Sequence, residues 1–153
     1  MKLKLITVGL MVIMALSLLA CSPEAAEEPV SPAPNKVSVA VTCDDFMKVN
    51  HISQEVEISA DGTLTVTLCS NPTTGFLWSE SAQISDTTVL QQTDHQLIVP
   101  GPEPPPPPGT PSQEVWTLKA LKKGTSTVSM EYSRPWEGGE KGAWTFVLTV
   151  TVK

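Results

Sequence analysis

The chain has 153 residues and a formal net charge of −6, with 17% charged and 41% hydrophobic residues. That length suffices for one folded domain and not comfortably for two. An acidic chain without a basic stripe repels phosphate, so we expect no nucleic acid among its partners.

The first residues have the layout of a secretory signal. Lys2 and Lys4 precede an almost uninterrupted apolar run over 5–19, and a small residue stands directly before Cys21. The run is shorter than the roughly 20 residues of a membrane-spanning helix. A Cys at this position resembles the lipobox of bacterial lipoproteins, where that thiol receives a diacylglyceryl group. We therefore expect a lipoprotein signal peptide over 1–20 and export to a membrane of the cell envelope, anchored through lipid on Cys21. An ordinary signal peptide with an incidental Cys is the alternative.

Residues 21–36 consist mostly of Pro, Ala, Ser and Glu. Such a segment has little apolar surface to bury, so we expect a disordered tether there and a folded domain over 37–153. With Cys21 lipidated, Cys43 and Cys69 remain, and export to an oxidising compartment favours a disulfide between them. Two buried free thiols are the alternative. Neither has the CxxC spacing or nearby His cluster of a zinc site, and we expect no metal and no cofactor.

Apolar and polar residues alternate with a period of two along most of the domain. This pattern, with its many β-branched residues, predicts strands that bury one face. The clearest segments are 37–42, 55–59, 63–68, 127–132 and 144–152, and further candidates are 89–90, 96–99 and 115–121. No long helical stripe follows the signal. Many short strands with regular turns predict an all-β antiparallel sandwich or small barrel.

Three tight polar turns alternate along the chain with three longer loops. Successive connections of an up-and-down sandwich fall on alternate ends, so we expect the longer loops together at one end, as a composite binding edge on a rigid scaffold. The tight turns are 60–62, 85–87 and 122–124; the loops are the NPTTG loop (70–76), the proline-rich loop (100–113) and the RPW loop (133–143), which begins at Ser133.

The NPTTG loop has the composition of a stiff turn. Asn71 can bond its own downstream backbone, Pro72 restricts φ, and Thr73 and Thr74 are stiff at χ1. Gly75 permits a positive φ and a close approach by a partner. Rigidity reduces the entropy lost on binding, which favours a recognition loop. A plain turn between two strands is the alternative.

The RPW loop places a large aromatic, Trp136, after Arg134 and Pro135. Trp and Arg are the residues most enriched at interface hot spots, so we expect Trp136 to contact a partner. The alternative is that it folds back under the loop as a minor core. The other Trp residues are expected in the core (Trp116, Trp144) or beneath the NPTTG loop (Trp78).

The remaining motifs carry no sign of catalysis. The two His, His51 and His95, lie in no nucleophile–base pattern, and no phosphate-binding or HExxH motif is present. The paired acids Asp44 and Asp45 are expected on the solvated surface. Residues 100–111 are proline-rich and stiff, and a tolerated insertion at a loop tip explains them as well as a contact does.

NPTTGF before a Trp, followed by RPW before a final alternating strand, resembles the chagasin family of cysteine-protease inhibitors over roughly 37–153. The resemblance implies an immunoglobulin-like antiparallel β-sandwich. It also implies a monomeric, reversible inhibitor, not an enzyme, whose three loops occlude the active-site cleft of papain-family proteases. In that family the NPTTG loop lies over the catalytic thiol and the RPW loop packs an aromatic against the cleft wall.

The middle loop departs from the family pattern, because PPPPPGTPSQ replaces the usual glycine-rich segment ahead of the matching Trp116. Only Gly109 and Thr110 resemble that pattern. The protease-binding residues that the resemblance implies are Asn71, Pro72, Thr73, Thr74, Gly75, Phe76, Gly109, Thr110, Arg134, Pro135 and Trp136.

A second function class fits the same fold. A cell-surface module that binds glycans or peptides would use Trp136 and Trp78 as stacking platforms, and an immunoglobulin-like sandwich permits either role. A purely structural surface role is a weaker third option.

Overall fold

The computed structural model describes residues 32–101 and 107–153. The predicted signal peptide, Cys21 and most of the predicted tether lie outside the described residues. The described strands are β1 (Lys36–Val41), β2 (His51–Ile58), β3 (Thr63–Ser70), β4 (Leu77–Trp78), β5 (Gln83–Ile84), β6 (Leu90–Ile98), β7 (Ser112–Ala120), β8 (Gly124–Ser133) and β9 (Trp144–Val152), with a short helix α1 (Cys43–Phe46) and a 3₁₀ turn (Pro72–Thr74).

The strands form the two sheets of a sandwich. One sheet has the order β1-β3-β7-β6, and the other has β2-β9-β8-β4, with β5 paired further along β8. This confirms the predicted all-β sandwich. The inner pairings are antiparallel, whereas β1 runs parallel to β3 and β2 runs parallel to β9. The parallel pairs arise because consecutive strands β1 and β2 lie in different sheets, so each pairs with a strand that is not its neighbour in sequence.

The core lies between the inward faces that the alternation predicted. Phe146, Leu148 and Val150 on β9 are fully buried, and so is Trp116 on β7. Trp144, at the start of β9, is only partly buried but packs against the core. Burial of such a side chain contributes roughly 1.5–3 kcal/mol, so the alternating faces supply most of the driving force for the sandwich.

Strand β6 is the element that the sequence predicted least well. The candidates 89–90 and 96–99 mark the two ends of one continuous strand, with an irregularity between Gln92 and Asp94. The residues between those ends are mostly polar and show no apolar alternation, because β6 lies at a sheet edge and most of its side chains are exposed. The middle of the strand was therefore not predicted. An edge strand needs little apolar alternation to pair.

A disulfide joins Cys43 of α1 to Cys69 of β3, as the cysteine count predicted. It closes a segment with a sequence separation of 26, which stabilises the fold by about 3.5 kcal/mol in the chain-entropy model. Thr42 caps α1 by accepting from the Asp45 amide and donates its hydroxyl to the Asp45 carboxylate at 2.7 Å. That hydrogen bond, with Lys48, lowers the pKa of Asp45. The connection between β1 and β2 is thus fixed to the base of the NPTTG loop.

No helix within the described residues has the length and hydropathy that a membrane span requires.

Candidate functional site

The three long loops lie at one end of the sandwich. Asn71 of the NPTTG loop donates its side-chain amide to the carbonyl of Gly109 in the proline-rich loop at 3.2 Å, and the Gly109 amide donates to the Thr73 hydroxyl at 3.2 Å. On the other side, Trp136 of the RPW loop packs against Gly75. The predicted placement of the three loops at one end is therefore confirmed. The short strands β4 and β5 pair with successive parts of β8, so together they make one crossing of the sheet.

The tight turns meet at the opposite end. The amide of Asp61 donates to the carbonyl of Ala120, and the amide of Leu121 donates to the carbonyl of Val89. Both bonds are within normal hydrogen-bond length, at 3.1 and 2.8 Å. The two ends of the sandwich thus differ: the NPTTG, proline-rich and RPW loops lie at one end, and the tight turns lie at the other.

The NPTTG loop is held by its own hydrogen bonds. The amides of Thr74 and Gly75 donate to the carbonyls of Asn71 and Pro72, each at 3.0 Å, which closes the 3₁₀ turn. The Thr74 hydroxyl also donates to the Asn71 carbonyl at 2.7 Å, and the Thr73 hydroxyl donates to the Asn71 side chain at 2.6 Å. Gly75 ends the turn with φ 79°, a left-handed conformation that favours glycine. The tip is therefore pre-organised, with Thr73 and Thr74 exposed.

Both stems of the NPTTG loop are fixed from below. The amide of Asn71 donates to the phenol oxygen of Tyr132 on β8 at 2.7 Å. The indole of Trp78 donates to the carbonyl of Cys69 at 2.9 Å, across the two sheets. A buried carboxylate, Glu114, accepts from Ser70 and from the Trp78 amide. The loop is thus supported by both layers of the sandwich.

Phe76 lies beneath the loop and not on its surface. Its side chain is buried, with the ring stacked on Tyr132 at a centroid distance of 5.5 Å and edge-on to Trp144 at 5.9 Å. Phe46 of α1 extends this aromatic cluster. The Phe76 ring therefore supports the turn from within the domain, and its predicted contact with a protease stays a prediction.

Gly75 and Trp136 are in direct contact. A Cβ at position 75 would lie 2.6 Å from Cη2 of Trp136, so the indole covers the glycine so closely that no larger residue fits without a shift. Trp136 nevertheless stays 51% exposed. It is neither a minor core nor a free side chain: one edge packs on the NPTTG loop and the rest faces solvent.

The RPW loop is braced by Arg134. Its guanidinium lies 4.5 Å from the centroid of the Phe76 ring and 5.8 Å from that of Trp136, within the range of cation–π attraction. Its carbonyl accepts from the amine of Lys141, which also bonds the Trp136 carbonyl. The Arg134 Nε is buried without a hydrogen-bond partner in the described part of the chain. Arg134 thus links the two loops, while Pro135 is exposed beside it.

The proline-rich loop contributes its second half to the described site. Thr110 closes a turn by donating its amide and its hydroxyl to the carbonyl of Pro107, at 3.1 and 2.6 Å. This turn presents Gly109 to the NPTTG loop. Residues 102–106 lie outside the description.

Two residues at the base of the site, Glu114 and Tyr132, were not predicted from the sequence. Tyr132 was assigned only to a strand, and its hydrogen bond to the loop has no signal in the sequence. Glu114 did have a signal in the sequence: it lies two residues before Trp116, so the period of two places it on the buried face of β7.

Trp78 is 2% exposed, which corrects the alternative in which it was a stacking platform. In residues 32–101 and 107–153 no group of three or more potential metal ligands occurs.

Comparisons with known proteins agree with this geometry. Residues 57–150 match the model of the chagasin family of peptidase inhibitors, I42. Amoebiasin-2 of Entamoeba histolytica is 31% identical over 120 residues, which cover 74% of this chain and 94% of that protein. The crystal structure of the cysteine protease inhibitor EhICP2 from Entamoeba histolytica superposes with a TM-score of 0.55 and 25% identity, covering 79% of this chain and all of that one. PbICP-C, solved in complex with falcipain-2, has a TM-score of 0.57, 18% identity, and 76% and 98% coverage. The chain therefore belongs to the chagasin family of peptidase inhibitors, and it is an inhibitor and not an enzyme.

Proposed function

We propose that the chain reversibly inhibits papain-like cysteine proteases by inserting the three loops into the active-site cleft. EhICP2, a structural relative, is a cysteine protease inhibitor. The observation that carries the proposal is the pre-organised NPTTG turn, which stands between the other two loops and exposes Thr73 and Thr74 at its tip. A ready-made turn loses little entropy when it enters a cleft.

The hydrogen bonds of the turn explain how binding can occur without cleavage. A protease thiolate attacks a carbonyl whose oxygen points into the oxyanion hole. In the NPTTG loop the carbonyls of Asn71 and Pro72 instead accept bonds from within the turn. A nucleophile that meets this backbone finds those carbonyls directed away from it, so the loop occupies the site without acting as a substrate.

The two flanking loops extend the contact on either side. The Trp136 indole is half-exposed, and the Arg134 guanidinium lies within cation–π range of both Phe76 and Trp136. Aromatic anchors of this kind dominate interface energies and slow dissociation. Gly109 and Thr110 of the proline-rich loop would contact the protease on the other side of the NPTTG turn. One copy of the chain supplies all three loops, so we propose that it acts as a monomer.

The proposal predicts that the folded chain inhibits papain with an inhibition constant in the nanomolar to micromolar range. Papain is first activated with reductant and then desalted, so that its thiol is reduced while Cys43–Cys69 stays oxidised. Residual activity is measured against inhibitor concentration, and gel filtration should show a one-to-one complex. Full papain activity under a large excess of oxidised, folded chain would contradict the proposal.

We further propose that the chain is a membrane-anchored lipoprotein, exported by residues 1–20 and joined by a tether over 21–36 to the inhibitory domain. The support is the sequence: a basic start, an apolar run and a small residue before Cys21. Each buried CH₂ of an acyl chain contributes roughly 0.8 kcal/mol, so two or three chains on Cys21 hold a domain at a membrane stably. The inhibitor would then act at the cell-envelope surface.

Expression in a bacterium with labelled fatty acid tests the anchor. The wild-type chain should incorporate label and partition into detergent, and Cys21→Ser should lose both properties. The control is the double variant Cys43→Ser/Cys69→Ser, which removes the other thiols and should keep the label. An unlabelled wild-type chain with the mass of a conventionally processed protein would refute the anchor.

A further inference from the structure

Glu114 is a charged residue on the buried face of a central strand. It lies on β7 in register with Leu68 of β3, and its alternation partners Trp116 and Leu118 belong to the core. Only 2% of its surface is exposed. A carboxylate in such a position is costly unless hydrogen bonds satisfy it, so its contacts indicate what it does.

One oxygen of Glu114 connects the two stems of the NPTTG loop. Oε1 accepts from the hydroxyl of Ser70, the last residue of β3, at 2.7 Å. The same atom accepts from the main-chain amide of Trp78, on β4 of the opposite sheet, at 3.2 Å. Residues 71–77, which include the whole NPTTG turn, lie between these two donors. No other described carboxylate bonds both stems.

The second oxygen is fixed by a third strand. Oε2 lies 3.1 Å from Nε2 of His95 on β6, whose side chain is 18% exposed. The imidazole in turn packs over Trp116, with ring centroids 4.8 Å apart. His95 therefore holds the carboxylate in one orientation and leaves Oε1 directed at the loop.

Stability alone does not account for a buried carboxylate here. Replacement of buried ionic groups by well-packed apolar residues is often neutral or stabilising, whereas directed hydrogen bonds determine geometry. Glu114 holds in place two strand ends from different sheets, and the separation of those ends sets the pose of the turn between them.

We propose that Glu114 is a positioning residue of the inhibitor: its carboxylate bridges Ser70 and Trp78 and holds the NPTTG loop in its protease-binding pose, with His95 as its orienting partner. This inference rests on the proposed function. It assigns affinity, and not only folding, to a side chain that lies beneath the loop and touches no protease.

Two variants of the full chain separate the role in positioning from a role in packing. Glu114→Leu removes both acceptor bonds and should raise the inhibition constant for papain by tenfold or more, the factor that corresponds to about 1.4 kcal/mol. Glu114→Gln keeps the volume and one acceptor oxygen for both donors, so it should restore inhibition to within about threefold of wild type. Leu118→Ala is the matched control, because it creates a cavity on the same face of β7 away from the loops.

Hydrogen exchange of the Thr74 and Gly75 amides is the second readout, since both donate inside the turn. Glu114→Leu should accelerate their exchange, whereas Leu118→Ala should lower the unfolding midpoint without this local effect. If the wild-type chain fails to inhibit papain, the proposed function is wrong, and exchange alone still decides the role of Glu114. Unchanged exchange in Glu114→Leu, or an equal loss of inhibition in Leu118→Ala, overturns the positioning role.

Discussion

Replacing Gly75 by Glu is expected to weaken papain inhibition by about a hundredfold or more, a loss of roughly 2.7 kcal/mol. Two independent effects add up. The φ of 79° is a conformation that costs an L-residue about 1–2 kcal/mol, and a Cβ would lie 2.6 Å from Cη2 of Trp136. The new Glu side chain must therefore displace the Trp136 indole. In the proposed complex its carboxylate would also be pressed against the wall of the protease cleft. Inhibition constants of wild type and variant, measured on oxidised chains of equal folded fraction, check this.

Gly142→Ala separates backbone strain from the clash. Gly142 also has a positive φ, of 57°, but a Cβ there meets only the Glu131 carboxylate at 3.9 Å, an ordinary contact. Gly75→Ala should weaken inhibition clearly, and Gly142→Ala should change mainly stability. If both alanine variants inhibit alike, the contact between Gly75 and Trp136 has no functional role.

The placement of the three loops could be predicted because it depends only on the order of turns and strands. The alternating pattern identifies each strand, and each strand takes the chain from one end of the sandwich to the other. Successive connections therefore lie at opposite ends. The placement does not depend on which sheet a strand joins. It is therefore unaffected by the parallel edge pairs of β1 and β2, which the local sequence pattern does not reveal because they depend on pairing between distant segments.

The support beneath the loops could not be predicted in the same way. Phe76 belongs to the NPTTGF motif, yet whether its ring faces a partner or the core depends on the aromatic cluster that Phe46, Tyr132 and Trp144 build from three other segments. Glu114 likewise acquires its role from Ser70 and Trp78, which reach it only in the folded sandwich. Motifs indicate which loops are special, whereas the contacts that hold them are tertiary.

Trp136→Ala is expected to cost about 2 kcal/mol or more of binding free energy, roughly a thirtyfold rise in the inhibition constant. The indole is 51% exposed, so its removal should change the free energy of unfolding much less than it changes binding. Truncation also takes away one of the two rings around Arg134 and uncovers Gly75. Papain titration and a thermal melt of the same samples give the two quantities.

The control is Leu121→Ala, which removes an exposed apolar side chain, 39% accessible, from the end that carries the tight turns. It should leave inhibition unchanged.

The double variant Gly75→Ala/Trp136→Ala tests the contact itself: once the indole is gone, a methyl at position 75 has nothing to displace, and only the strain of its positive φ remains. The double variant should therefore lose less binding free energy than the two single variants lose in sum, as expected for residues in contact. Strict additivity would mean that the two loops act on the protease independently, each with its own share of the affinity.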